Sequence, residues 1–222
     1  MRLPVKVVTS DGKKFWGPYL LRLTGWTEEQ YFQEAPESQF VEFEDGDLIV
    51  PSPVNVRHQQ IVGFLSFLLR GYVESRSLGE VFNGPGVVQL RPGLDYEPDI
   101  FVIATAQQSQ VSEQYFAGAP ALAVEVLSPS TRRRDLRTKA TNYRVHDVPE
   151  YWAVDPERHI LYQHRLPEAQ ADPYLIVPYT AGRLDSQSMA GFWIEVDWLW
   201  QEPLPRYLEC LEQILSRGQY GS

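Results

Sequence analysis

The stretch LAVEVLSPST, residues 122–131, constrains the fold more than any other part of this chain. Leu122 to Leu127 is a short apolar run bounded by turn-forming residues, the pattern of a strand buried on both faces. Such a strand needs a layer packed on each side. The SPST that follows opens a helix over roughly 131–146, with Ser128 or Ser130 as N-cap. Yet Glu125 sits inside the strand. An ionised carboxylate is among the side chains least often fully buried. Left unpaired it either neutralises or finds a partner. Something must therefore face Glu125.

The surrounding pattern supplies the layers. FVEFEDGDLIV (40–50) reads as a hairpin, with Asp45-Gly46 as a type I′ turn signal. Asn55 is placed to cap a helix of about 20 residues through VRHQQIVGFLSFLLRGYVESR. EVFNGPGVVQL and EPDIFVIAT read as strands, residues 106–120 as loop with a short helix. EYWAVD, HILYQHR, YLIVPYT and FWIEVDWLW read as further strands, and PRYLECLEQILSR as an amphipathic helix. This order predicts an α/β or α+β domain, a sheet with helices on its faces. At 222 residues and 43% hydrophobic, one domain is the simplest count.

Several function classes drop out. One cysteine, Cys210, allows neither an internal disulfide nor a cysteine zinc cluster. IVGFLSFLL (61–69) is too short to span a bilayer, and MRLPVKVVTS has no apolar signal core, so a cytoplasmic location is expected. A net charge of −9 does not suit a general nucleic-acid coat protein. RRRDLRTK (132–139) nevertheless gathers arginines and a lysine around one acid, so a phosphate could be engaged locally.

Asp99 opens the run DIFVI just as Glu125 sits in LAVEV. If the two strands are neighbours, both carboxylates can face one way. They would then repel, favouring protonation unless a cation lies between them. A hard divalent ion answers that need, because Mg²⁺ takes one or two carboxylates, waters and a substrate phosphate. Asp135, Lys139 and Tyr143 share a helical stripe at i, i+4 and i+8. Lys139 then lies at the edge of the buried face, where it could stabilise a phosphorane-like charge or orient a water. The plainer reading pairs Glu125 with Lys139 or an arginine, and makes Asp135 a surface acid bonded to Lys139. Arg132, Arg133 and Arg134 lie in the first helical turn, where the helix dipole disfavours cations. They suit either a phosphate or a solvated basic face.

Pro98-Asp99 followed 26 residues later by Glu125 resembles the PD-(D/E)XK nuclease superfamily. The series EPDIFVI, VEVLSPSTRRRDLRTKATNYR and VPEYWAVD is similar, more closely, to the Uma-type family of restriction-endonuclease-like proteins. The match is close over about residues 96–155 and weaker over FVEFEDGDLIVPSP and the helix of His58. It implies a restriction-endonuclease-like α/β fold, a central mixed sheet flanked by helices with an N-terminal β-hairpin extension. Residues 1–38 would be the extension, about 39–200 the core and about 203–217 the C-terminal helix. The superfamily lysine is expected two positions after the acid, where this chain has Leu127. The resemblance therefore implies a lysine that has migrated to the following helix, Lys139. It further implies that Asp99 and Glu125 hold Mg²⁺ or Mn²⁺ with the Val126 carbonyl, and that the reaction is hydrolysis of DNA. By the same resemblance His58 and Glu42 approach the site; Asp135 and Tyr143, on the stripe of Lys139, would be accessory to it. A homodimer would supply two sites. The alternative is a non-catalytic dimeric binding or scaffold protein that keeps the nuclease fold.

Overall fold

The computed structural model describes residues 18–35, 40–167 and 173–217; most of the expected N-terminal extension lies outside them. The chain starts with β1 (Leu20–Thr24) and the short helix α1 (Glu28–Glu34), then the hairpin β2 (Glu42–Glu44) and β3 (Asp47–Pro51). Asp45 and Gly46 adopt φ of 48° and 95°, the left-handed pair that a tight hairpin turn requires. The long helix α2 (Val56–Arg76) follows, its first turn capped by the Asn55 side chain, which accepts the His58 N–H at 2.9 Å. Next come β4 (Gly79–Asn83), β5 (Val88–Arg91), β6 (Leu94–Tyr96), β7 (Ile100–Ala104), β8 (Phe116–Ala117) and β9 (Leu122–Val126). A helical segment then runs as α3 (Arg132–Arg134), a π-helical turn (Asp135–Lys139) and α4 (Ala140–Val145). Strands β10 (Glu150–Asp155), β11 (Ile160–Arg165), β12 (Leu175–Tyr179), β13 (Arg183–Asp185) and β14 (Trp193–Glu195) precede the closing helix α5 (Tyr207–Arg217).

The expected central mixed sheet is β12-β11-β10-β9-β7-β4, with β9 and β10 its parallel pair. The hairpin proves to be part of a second mixed sheet of six strands, β1-β3-β2-β6-β5-β8. Its strands are as short as three residues and pair across distant parts of the chain, so local patterning sees only the hairpin. FWIEVDWLW is strand only through Glu195; Val196–Trp200 turns into a short 3-10 helix. Alternation could not separate the two, because Trp193, Val196, Trp198 and Leu199 are all buried. Among the described residues no helix is long and apolar enough to cross a membrane.

Two cores sandwich the central sheet. On one side Ile61, Leu65 and Leu69 of α2 meet Val102, Leu122, Val124, Val126 and Trp152, with Cys210 and Ile214 of α5 behind. On the other, Ala123, Leu127 and Tyr151 meet Ala140 and Tyr143 of α4 and Val88, Leu94 and Tyr96 of the second sheet. This second layer contains the site.

His164, on β11, is buried between the rings of Tyr151 and Tyr174, and its Nδ1 has no partner. Burial holds its pKa down to about 4 from 6.5. Between those values the unfolded chain takes a proton that the folded chain refuses, so stability falls as pH falls through that window. At about 1.4 kcal/mol per unit the loss is roughly 3 kcal/mol. Urea unfolding of wild type and His164→Phe should show their stability difference shifting by about that amount between pH 7 and pH 4. Parallel curves would contradict the assignment.

Candidate active site

Strands β7 and β9 run antiparallel, with Ile100 opposite Val124 and Phe101 opposite Ala123. Side chains alternate across a strand. Leu122, Val124 and Val126 join the helix-side core, while Ala123 and Leu127 join the core between the sheets. Glu125, lying between Ala123 and Leu127 in this alternation, points into that second layer. One more step of the register sets Asp99 opposite it. Asp99 Oδ2 accepts the Val126 N–H at 2.7 Å and lies 3.1 Å from His58 Nε2. Both contacts use Oδ2, so Oδ1 keeps its lone pairs. His58 is buried in the first turn of α2, and its Nδ1 has no partner.

Lys139 arrives from the other side, at the end of the π-helical turn. Single π turns recur at functional sites because they shift the side chains that follow. The ammonium of Lys139 contacts Glu125 Oε1 and sits 2.5 Å from Glu42 Oε1. Tyr143, one turn on, donates its hydroxyl to Glu125 Oε1 at 3.2 Å. Glu42 comes from β2, so the hairpin of one sheet closes over acids of the other. Arg134 also bonds Glu42, reaches Glu44 at 3.1 Å, and lies over the Tyr96 ring with its guanidinium carbon 5.0 Å from the centroid. The three arginines therefore separate. Arg134 is turned inward, Arg132 pairs with Asp155 at 2.7 Å, and Arg133 is exposed with no ion pair among the described residues. Asp135 is buried in the cavity wall, not on the helix surface.

Glu42, His58, Asp99, Glu125, Arg134, Asp135 and Lys139 line a cavity of about 430 Å³ between the hairpin, the 51–54 segment, the start of α2 and the turn after β9. Its electrostatics are unbalanced. Burial works against the Glu42 carboxylate, but Arg134 and Lys139 together hold its pKa below the usual value. Burial pushes Glu125 well above the usual value; Lys139 opposes this, while Asp135 and Asp99 add to it. Burial likewise lifts Asp135 to about 6 against the pull of Lys139. Lys139 and Arg134 thus face five buried acids, Glu42, Glu97, Asp99, Glu125 and Asp135; both bond Glu42, and Lys139 bonds Glu125 as well. Lys139 itself is raised above its ordinary value, because Glu125 and Glu42 outweigh the effect of burial.

One member escaped the sequence reading. Glu97 lines the same cavity, accepts the Val41 N–H at 2.9 Å and the Tyr31 hydroxyl at 3.4 Å, and is pushed by burial to about 8. Its signal was its place two residues before Asp99, the spacing that puts both on one face of an extended chain.

Among the described residues no three His, Cys, Asp or Glu side chains stand together as a ready set of metal ligands. The available donors are the two carboxylates Asp99 and Glu125. Two carboxylates, completed by water and substrate oxygen, are what Mg²⁺ accepts. The excess of buried acid over buried base also fits a divalent cation.

The sequence pattern of a family described as Uma2, putative restriction endonuclease, matches residues 28–197. No curated protein matches the chain. Among solved structures, a putative nuclease belonging to DUF820 from Anabaena variabilis is similar in fold, with a TM-score of 0.66 and 14% identity over 79% of this chain and 97% of that one.

Proposed function

The chain belongs to the Uma2 family of putative restriction endonucleases, and from that premise we propose that it is a metal-dependent nuclease that hydrolyses phosphodiester bonds of DNA. The observation that supports this most is the meeting of Asp99, Glu125 and Lys139 in one buried cavity that is short of positive charge. Asp99 and Glu125 are the residues that would hold Mg²⁺ or Mn²⁺, with the Val126 carbonyl as a further ligand. A bound ion supplies an activated water and neutralises phosphate charge. The remaining work falls to the chain. Val126 N–H and His58 fix the Asp99 carboxylate, and Tyr143 fixes Glu125. Lys139, migrated to the helix, holds Glu125 and offers its remaining protons to a phosphate oxygen or the attacking water, where charge develops. Arg134 keeps Glu42 ionised, and Glu42 in turn holds Lys139 in place.

A ligand of the native state raises apparent stability, by about 2.7 kcal/mol at a hundredfold excess over its dissociation constant. For a chain of this size that corresponds to a rise of roughly 5–10 °C in Tm. Thermal melting in Mg²⁺ or Mn²⁺ should show such a rise for wild type and none for Asp99→Asn. An equal rise in both would move the metal elsewhere. No rise in wild type would favour the non-catalytic scaffold.

A further inference from the structure

We infer that the strand taken by this site is unpaired: a single-stranded segment of nucleic acid, one nucleotide of which enters the cavity between the two sheets. The inference rests on the nuclease reading above and adds the substrate class.

Depth is the first argument. Asp99, Glu125 and Lys139 are only 8%, 6% and 3% exposed. A metal ion held by those carboxylates lies about 2 Å from its oxygen ligands, so the scissile phosphate must descend to that depth. In a duplex each nucleotide is held in place by pairing and stacking. A duplex carries its phosphates on its outer face, but on a backbone stiffened by that pairing and stacking; an unpaired strand bends more easily to bring one phosphate into a pocket.

The shape of the cavity agrees. Its volume of about 430 Å³ is on the scale of a small-molecule pocket. Beside the acids, its walls include the rings of Tyr19 and Phe40 and the apolar side chains of Ile49 and Val50. Aromatic and apolar walls next to a phosphate site suit a splayed base, which any sequence can offer.

Charge agrees too: among the described residues few cations beside the cavity are free to meet phosphates. Duplex affinity comes from neutralising several phosphates. Here the net charge is −9. Among the described residues near the cavity, Arg134 is committed to Glu42 and Glu44, and both Arg132 and Arg158 to Asp155. Arg57 reaches the carbonyls of Leu199 and Gln201. Arg133 and Arg137 are exposed with no ion pair among the described residues, enough for a short strand and not for a duplex face.

The test is Mn²⁺-supported cleavage, by wild type, of one oligonucleotide presented three ways: alone, fully paired, and paired except for a central bubble. Unpairing and unstacking cost a few kcal/mol, so the free strand and the bubble should be cut about a hundredfold faster than the full duplex. Cuts in the bubbled substrate should fall within the unpaired segment. Equal rates on all three substrates, or cuts in the paired arms, would overturn the inference while leaving the nuclease reading intact. No cleavage of any of them would overturn the nuclease reading itself.

Discussion

Glu125→Gln should leave the protein folded and cost its hydrolytic activity a factor of 10²–10³, the scale set by losing one preorganised electrostatic contact. The separation follows from the charge balance of the cavity. Burial already disfavours the charged form of Glu125, and Lys139, the cation bonded to it, is shared with Glu42. An amide of the same shape removes a buried charge that the shared Lys139 only partly balances, and can still accept from Tyr143 and Lys139. Its Tm should therefore equal or exceed that of wild type. Sites built for function often carry stability costs of this kind. Lys139→Ala should behave differently. It strands Glu42 and Glu125 without their shared cation, and breaking a buried ion pair costs about 3–5 kcal/mol. Cleavage rates and urea unfolding measured together on both variants check this. Equal destabilisation in the two would contradict the charge argument.

The largest effect on stability is expected far from the cavity, at Glu150. This carboxylate, at the start of β10, is fully buried and takes six donors. Oε1 accepts from Trp152 Nε1 and Gln163 Nε2 at 2.8 and 2.6 Å. Oε2 accepts from the Ser186 and Ser188 hydroxyls and from the Gln187 and Ser188 N–H groups, at 2.6 to 3.0 Å. It thus ties the turn between β13 and β14 to the central sheet. Glu150→Ala would take a partner from all six donors, of which Gln163 Nε2 keeps the Asp185 carbonyl, and leave a void; each buried donor left unsatisfied costs about 1–3 kcal/mol. A loss of at least about 4 kcal/mol is expected in chemical denaturation, enough to unfold many domains of ordinary stability. A loss under about 1 kcal/mol would show that water replaces the carboxylate.

What the sequence revealed of this fold was local. Asp45-Gly46 marks its hairpin because two consecutive left-handed residues suit few other pairs. Asn55 marks the start of α2 because a capping side chain must immediately precede the first turn. Glu125 pointed to a charged layer because nothing else explains an acid in a buried strand. What stayed hidden was non-local. The second sheet assembles from β1, β2, β3, β5, β6 and β8, whose partners lie up to dozens of residues apart. The inward turn of Arg134 depends on where β2 brings Glu42 and Glu44. The π-helical turn that aims Lys139 has no sequence signature of its own. Glu150 looked like any strand-opening acid, because five of its six donors lie at least thirteen residues away, on β11 and around Ser186–Ser188.

The central claim is that Asp99 and Glu125 hold the metal with which this chain cuts a phosphodiester. Its most direct test is cleavage of a labelled single-stranded oligonucleotide by wild type in Mg²⁺ or Mn²⁺, repeated after chelation and with Asp99→Asn and Glu125→Gln. The account predicts cutting by wild type that stops on chelation, returns when the ion is restored, and is lost in both variants although they remain folded. Cutting that survives chelation, or that either variant retains at the wild-type rate, would contradict it.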